Sequence, residues 1–318
     1  MNYIVIIYNS IMSIRIDKIT RGRFGNKVFQ YNNLVQLANN VGIEPSCTNW
    51  EGNEYFKNIV NYIPSTKEKK ILYWNEILEK DNEEIKELLK NNDLQLDDPS
   101  YALHNTFYKL TKKNPRHFLE LKDELKPKLD NNCLYVGIHI RGGDILGGDN
   151  QDGREIHTPD YYKKAIEHVI KNNSDNKKIL FIICTDDVKF SSTIETINYL
   201  KEKNYNFSLG PNFGKNIYIH DFSILCYCDI LINSSSTFCC AAVFIGKENK
   251  IIYHSKDWMD RIVRGDFSNE EYKKYVNKWT HRMNDYEWRN VRGYEKAKIF
   301  WIDIEKNNVD YYNKIIII

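Results

Sequence analysis

Apolar runs and amphipathic stretches alternate regularly along the second half of the chain. The apolar run Cys133–Ile140 predicts a strand buried on both faces, and the apolar spacing over 159–171 predicts an amphipathic helix. The alternation continues with predicted strands at 178–184, 230–233 and 250–253, and predicted helices at 188–203, 219–228 and 236–245. Strands that alternate with helices are typical of a parallel, Rossmann-like sheet.

The first half of the chain has a weaker pattern. Residues 13–18 predict a short strand, 21–26 a glycine-bearing turn, and 27–41 a helix that ends before Gly42. The charged stretch 55–126 is predicted to be mostly helical.

The domain organisation follows from these patterns. We predict an α/β fold with two Rossmann-like domains facing a cleft, at 1–130 and 131–258. The aromatic-rich tail at 259–318 is predicted to be helical and to pack back across the domains, with its closing isoleucines as a docked end.

Composition narrows the possible functions. The 318 residues are 42% hydrophobic, and 45 Lys and Arg nearly balance 43 Asp and Glu, so no overall field draws the chain to nucleic acid. The seven cysteines form no Cys-x-x-Cys pair, which fits a reducing compartment better than a disulfide framework. The first 16 residues predict neither a signal peptide nor a membrane anchor. We therefore expect a cytoplasmic protein without stable membrane insertion.

Three polar segments follow predicted strands, where ligands bind in open α/β sheets. The first runs from His139 to Asp144 (HIRGGD), and its Arg141 offers paired donors that match a phosphate and neutralise a departing diphosphate. The second is GRFGN, with Gly22, Gly25 and Asn26 before a predicted helix. The third, NSSSTF, ends at Phe238. Taken singly, these segments also fit a surface turn with a salt bridge, an ordinary α/β loop and a plain N-cap.

Together these segments resemble the α-1,2-fucosyltransferase family, which pairs a Gly-x-x-Gly-Asn-x-x-Phe-Gln block with His-x-Arg-x-x-Asp and a late Asn-Ser-Thr-Phe. Further matching stretches are TPDYYKKAI at 158–166, ICTDD at 183–187 and the segment 221–242. The chain departs from the family at Gly142, where a second arginine is usual, and at Cys239-Cys240, where Trp-Trp is usual.

The resemblance implies a GT-B-like fold and metal-independent transfer of fucose from GDP-fucose to a galactose-terminated glycan. No Asp-x-Asp pair occurs, which agrees with the expectation that no metal or other cofactor is needed. The implied catalytic residues are Arg141, Asp144 and His139. The sugar-donor site is expected to comprise Gly22, Gly25, Asn26, His139, Arg141, Asp187, Asp221, Ser234, Ser235, Ser236, Thr237 and Phe238.

The implied reaction leaves several questions open. A β-linked donor and an α-linked product require inversion and a base for the acceptor hydroxyl, most simply O-2 of a galactoside. Asp144 is the first candidate base, with Asp149, Asp152 and Glu155 as rivals, and Asp144 could instead orient Arg141. Asp187 fits a helix cap as well as a nucleotide contact. Three other functions are compatible with the sequence: a protein O-fucosyltransferase, a transferase using another nucleotide sugar, and a binding module without catalysis.

Overall fold

The computed structural model describes residues 12–19, 22–64, 67–73, 76–77, 79–97, 115–142, 157–174, 177–213, 217–234, 236–248, 250–254 and 314–317. Their contacts divide the chain into two compact units, Met1–Leu119 and Glu120–Ile318. Each unit is built around its own parallel sheet, so the predicted α/β class with two sheet-based units is confirmed. The predicted domain limits and the cleft remain predictions.

The first unit contains a four-stranded parallel sheet in the order β2-β1-β4-β3. Its strands are β1 (Ser13–Ile16), β2 (Glu44–Cys47), β3 (Glu68–Tyr73) and β4 (Asn92–Asp97), and its helices are α1 (Phe24–Val41), α2 (Gly52–Tyr55) and α3 (Asn82–Asn91). Helix α1 ends at Gly42, whose φ of 78° lies in the left-handed region that glycine adopts without strain. Phe24 and Trp50 stack at its other end.

A buried ion cluster joins strand β1 to its neighbours. Arg15 is fully buried and donates to Asp17 Oδ1 at 3.0 Å, to Asp93 Oδ2 at 3.3 Å and to the carbonyl of Ile63 at 2.7 Å. Burial by itself raises the pKa of Asp17, but hydrogen bonds from Lys69 and Arg15 outweigh it and lower the pKa. The charge on Asp17 is therefore stabilised by the fold.

The prediction that 55–126 is mostly helical is wrong for β3 and β4. Helix α3 is present, with a capping box between Asp81 and Glu84, but β4 follows it without a break. Strand β3 is an edge strand on which only Leu72 is buried, so its sequence lacks the alternation that identifies a half-buried strand.

The second unit contains a six-stranded parallel sheet in the order β10-β9-β8-β5-β6-β7. Its strands are β5 (Cys133–Ile140), β6 (Lys178–Thr185), β7 (Phe207–Leu209), β8 (Ile230–Ile232), β9 (Ile251–His254) and β10 (Lys314–Ile317), and its helices are α4 (Pro159–Lys171), α5 (Ser191–Glu202), α6 (Ile219–Tyr227) and α7 (Thr237–Ile245). All predicted elements of 133–254 are confirmed to within three residues at each end. Strand β7 was not predicted.

The tail departs from its prediction where the structure describes it. Lys314–Ile317 form strand β10, which pairs in parallel with β9, and not a helix. Residues 255–313, including most of the predicted helical tail, lie outside the described part of the chain. None of the described helices is both long enough and apolar enough to cross a lipid bilayer.

Candidate active site

Two of the predicted segments meet at the carboxyl ends of neighbouring strands. His139 near the end of β5 and Ser234 after β8 are 95 positions apart in sequence, yet His139 Nδ1 lies 2.5 Å from Ser234 Oγ. The pairing of Ile138 with Ile232 brings the two strand ends side by side. Both side chains are buried, so this hydrogen bond fixes the orientation of the imidazole.

Aromatic rings enclose the other side of His139. The Phe238 ring lies 5.4 Å from the imidazole, 5.0 Å from Phe222 and 6.0 Å from Tyr218, which meets it edge to face. Phe238 and Tyr218 are partly exposed, whereas Phe222 is fully buried. The partly exposed rings provide an apolar surface beside polar groups, and the sequence analysis did not identify Tyr218.

The third segment forms the start of helix α7. The Ser236 side chain accepts from the Phe238 amide at 3.3 Å, and the Ser236 amide donates to the Ser234 carbonyl at 2.7 Å. Ser236 is therefore an N-cap, as the simpler interpretation predicted. Amides in the first turn of a helix have no carbonyl partner within the helix, and Thr237 opens that turn. An N-cap and an anion site are therefore compatible here.

The end of strand β5 leaves no room for a side chain at position 142. Arg141 is partly buried, and the next amide, from Gly142, donates to Asp186 Oδ1 at 2.8 Å. A Cβ at position 142 would lie 2.8 Å from the Phe190 side chain and 3.0 Å from Asp187 Cβ. Phe190 therefore occupies the space that a larger residue here would need.

The two aspartates predicted to bind the sugar donor are tied to nearby backbone. Asp187 Oδ1 accepts from the Lys189 amide at 2.9 Å, within a turn. Asp221 is buried, and its Oδ1 accepts from the Asn212 amide at 2.8 Å while its own amide donates to the Asn212 side chain. These contacts give both aspartates a structural role, and their binding role remains a prediction.

In the first unit, the GRFGN segment contributes the start of helix α1. Gly22 has φ 78°, and a Cβ there would lie 2.2 Å from Asn26 Nδ2, so both backbone and space require glycine. The helix begins at Phe24, and the prediction that Gly25 and Asn26 precede it is wrong, because both lie in its first turn. Because first-turn amides have no carbonyl partner within their own helix, a helix start of this kind suits a polar ligand group.

Two tyrosines in the first turn of α4 contact the strand ends beside His139. The Tyr162 hydroxyl donates to the His139 carbonyl at 3.3 Å. The Tyr161 hydroxyl lies 2.8 Å from the carbonyls of both Asn233 and Tyr253. The sequence analysis quoted these tyrosines in the TPDYYKKAI stretch without a role, because only the folded sheet brings them to the carbonyls.

The adjacent cysteines that replace the family's tryptophans are buried. Burial raises the pKa of the Cys240 thiol to about 11 and that of the Cys239 thiol well above its usual value. The same cause raises the pKa of Cys184, which is also buried. These thiols are protonated at neutral pH and act as small core residues.

Several predicted residues fall outside the described part of the chain. Among them are all the candidate bases, so the identity of the base remains a prediction. They are Gly143, Asp144, Asp149, Asp152, Glu155 and Ser235. Within the described ranges, no group of three or more His, Cys, Asp or Glu side chains is arranged to hold a metal ion.

Comparison with solved structures finds fucosyltransferases at low identity. A GDP complex of a mutant Arabidopsis thaliana FUT1 matches with a TM-score of 0.49 and 10% identity, over 76% of this chain and 70% of that chain. Apo POFUT1 matches with a TM-score of 0.47 and 13% identity, over 74% and 94%. NodZ from Bradyrhizobium matches with a TM-score of 0.40 and 12% identity, over 74% and 92%.

Comparison with sequence families is more specific. No curated protein matches the sequence. The model of glycosyl transferase family 11 matches residues 9–282, which is more than half of the chain and includes all three polar segments. The family resemblance seen in those segments is thereby confirmed, and the chain belongs to glycosyl transferase family 11.

Proposed function

We propose that this protein transfers L-fucose from GDP-fucose to O-2 of a galactoside, with inversion at the fucose carbon. The contact between His139 and Ser234 is the observation that carries the proposal. It joins two blocks of the fucosyltransferase pattern at the carboxyl ends of parallel strands, where α/β sheets bind ligands. Membership of glycosyl transferase family 11 supports the reaction class.

The residues at these strand ends suit a diphosphate leaving group. Its negative charge grows as the bond to the sugar breaks, and a guanidinium and backbone amides stabilise such charge without a metal. Arg141 follows β5 directly, and α7 starts beside Ser234. We therefore assign the diphosphate to Arg141 and the start of α7, and expect no metal requirement.

The proposed chemical step is a single displacement. The acceptor hydroxyl oxygen bonds to C1 of fucose as the C1–O bond to the diphosphate breaks, and GDP leaves with the bonding electrons. A carboxylate, for which Asp144 is the first candidate, takes the hydroxyl proton. Asp149, Asp152 and Glu155 are the rival bases.

The test is an incubation with GDP-fucose and a panel of galactose-terminated oligosaccharides in EDTA, with GDP release, product mass and linkage as readouts. A fucosylated product linked at O-2 is the expected result. Use of another nucleotide sugar, or of a peptide acceptor, would replace the proposal with one of the other transferases. Nucleotide binding without any turnover would leave a binding module.

Arg141 provides the sharpest variant. We expect Arg141→Ala to lower turnover about 10²-fold, as loss of a preorganised group facing a developing anion does in other enzymes. Arg141→Lys keeps the charge but loses the paired donors, so its turnover should lie between those of the unmodified protein and Arg141→Ala. Lys164→Ala, at an exposed site on α4, is the matched control. Near-normal activity of Arg141→Ala would remove Arg141 from the mechanism.

A further inference from the structure

We infer that Tyr161 and Tyr162 are positioning residues that set the spacing between the strand ends bearing His139 and Ser234. The inference deepens the proposed function and rests on it, because it concerns the same sugar-donor site. It assigns a role to two adjacent hydroxyls that themselves are not expected to touch the substrate.

Direct pairing between β5 and β8 stops short of this site, although β5 stays paired with β6 as far as Ile140 and the Asn233 amide donates to the Tyr253 carbonyl at 3.0 Å. Strands β5 and β8 pair from Val136 with Ile230 up to Ile138 with Ile232, and His139 and Ser234 lie beyond that last pair. Backbone pairing restrains a strand end only as far as its last hydrogen bonds. Across the gap between β5 and β8, the relative position of the two side chains therefore depends on additional contacts.

The tyrosine hydroxyls supply such contacts from a single helical turn. Tyr162 donates to the carbonyl of His139 itself, at 3.3 Å. Tyr161 lies 2.8 Å from the carbonyl of Asn233, the residue before Ser234, and 2.8 Å from that of Tyr253 on β9. One turn of α4 thus contacts β5, the end of β8 and β9 together.

The turn itself is rigid. Tyr161 and Tyr162 are 6% and 1% exposed, and their rings meet at 5.0 Å with an interplanar angle of 65°. The ring of buried His157 lies 4.7 Å from that of Tyr161, and the His157 carbonyl accepts from Ser192 at 2.8 Å. Pro159 fixes the backbone at the first helical position.

The hydroxyls are needed for more than packing. Phenylalanine would fill the same space but would remove the hydroxyl donors that connect α4 to the strand ends. Without this connection the strand ends are held less firmly across the gap between β5 and β8, which shifts His139 relative to Ser234. We expect a loss of sugar-donor affinity with little change in the chemical step.

The experiment compares Tyr162→Phe with Tyr135→Phe. Tyr135 also lies on β5 but towards its amino end, where its hydroxyl accepts from the Asp130 amide at 2.9 Å. Each variant therefore loses one hydroxyl bonded to backbone, at opposite ends of the same strand. We expect Tyr162→Phe to raise the KM for GDP-fucose and the Kd for GDP about tenfold, with kcat changed less than about twofold. Tyr135→Phe should leave these constants unchanged.

A second measurement does not depend on activity. In protein labelled at histidine, the ring resonance of His139, assigned with His139→Gln, should move in Tyr162→Phe and stay fixed in Tyr135→Phe. Equal resonance positions in the two variants would overturn the positioning role, whether or not the enzyme transfers fucose. Failure of the unmodified protein to use GDP-fucose would instead overturn the proposed function, and the resonance shift would still decide the inference.

Discussion

Replacing Lys250 with methionine should destabilise the second unit more than any change of an exposed lysine. Lys250 is fully buried, and its ammonium group donates to the carbonyls of Leu225 at 2.5 Å, Cys226 at 2.9 Å and Ala242 at 3.5 Å. Leu225 and Cys226 lie in the last turn of α6, and Ala242 is among the last four residues of α7. Lys250 therefore caps the carboxyl ends of both helices.

The expected cost follows from these contacts. A hydrogen bond from a charged donor contributes about 1.5–3 kcal/mol, and of the three bonds the one to Cys226 has the ordinary length. Methionine avoids the desolvation penalty of the ammonium, which offsets part of the loss. We expect a net loss of about 3 kcal/mol in the free energy of unfolding, equivalent to a lower urea midpoint by about 1 M.

Urea unfolding followed by circular dichroism measures this loss, with the slope m checked for constancy. Lys247→Met is the matched control, because Lys247 lies three positions earlier in the sequence but is half exposed and pairs with Asp229. Such a surface pair contributes under about 1 kcal/mol. If Lys250→Met matched the control to within about 1 kcal/mol, the helix-capping role would be refuted.

Three further predictions concern the cysteines, Gly142 and Asp17. In the native protein, a thiol reagent should react at no more than Cys133, which is the one cysteine that is not buried. After unfolding, all seven cysteines should react, as counted by absorbance. Rapid reaction of more than one native thiol would contradict the burial described above. Gly142→Ala should lower the free energy of unfolding by about 1–3 kcal/mol, measured in urea, because the added methyl group would overlap the Phe190 side chain. Unchanged stability would show that Phe190 can move aside without cost. Asp17 has a pKa lowered by folding, so its contribution to stability is present above the pKa of the unfolded state and is lost as pH falls. Asp17→Asn should therefore flatten the acid side of the stability–pH profile below about pH 5, and an unchanged profile would contradict the ion cluster.

Part of the fold could be predicted from sequence because its local signals agree. Helix α4 was predicted with its observed limits, since Pro159 marks the start and the apolar spacing is regular. Strand β3 gave no such signal, because it is exposed at a sheet edge, and strand β4 follows α3 without a break. Strand β10 was missed for a different reason. Its pairing with β9 joins residues some 60 positions apart, which no local pattern encodes.

The candidate site was predictable to a similar extent. His139 and Ser234 follow buried strands, and the carboxyl ends of parallel strands share one edge of a sheet, so their proximity could be expected. The contacts of Tyr161 with two carbonyls could not, because they depend on the docking angle of a helix on three strands. The fit of Phe190 against Gly142 likewise required the three-dimensional structure.

The 95-residue separation of His139 and Ser234 has a consequence for folding. A ligand that needs both residues can bind only after β5 and β8 have paired, so affinity develops late and in one step with the sheet. Contacts this distant in sequence close slowly, because the intervening chain must first lose conformational entropy. If the protein binds nucleotide as proposed, nucleotide at 100 times its Kd would stabilise the folded unit by about 2.7 kcal/mol, since the unfolded chain offers it no site.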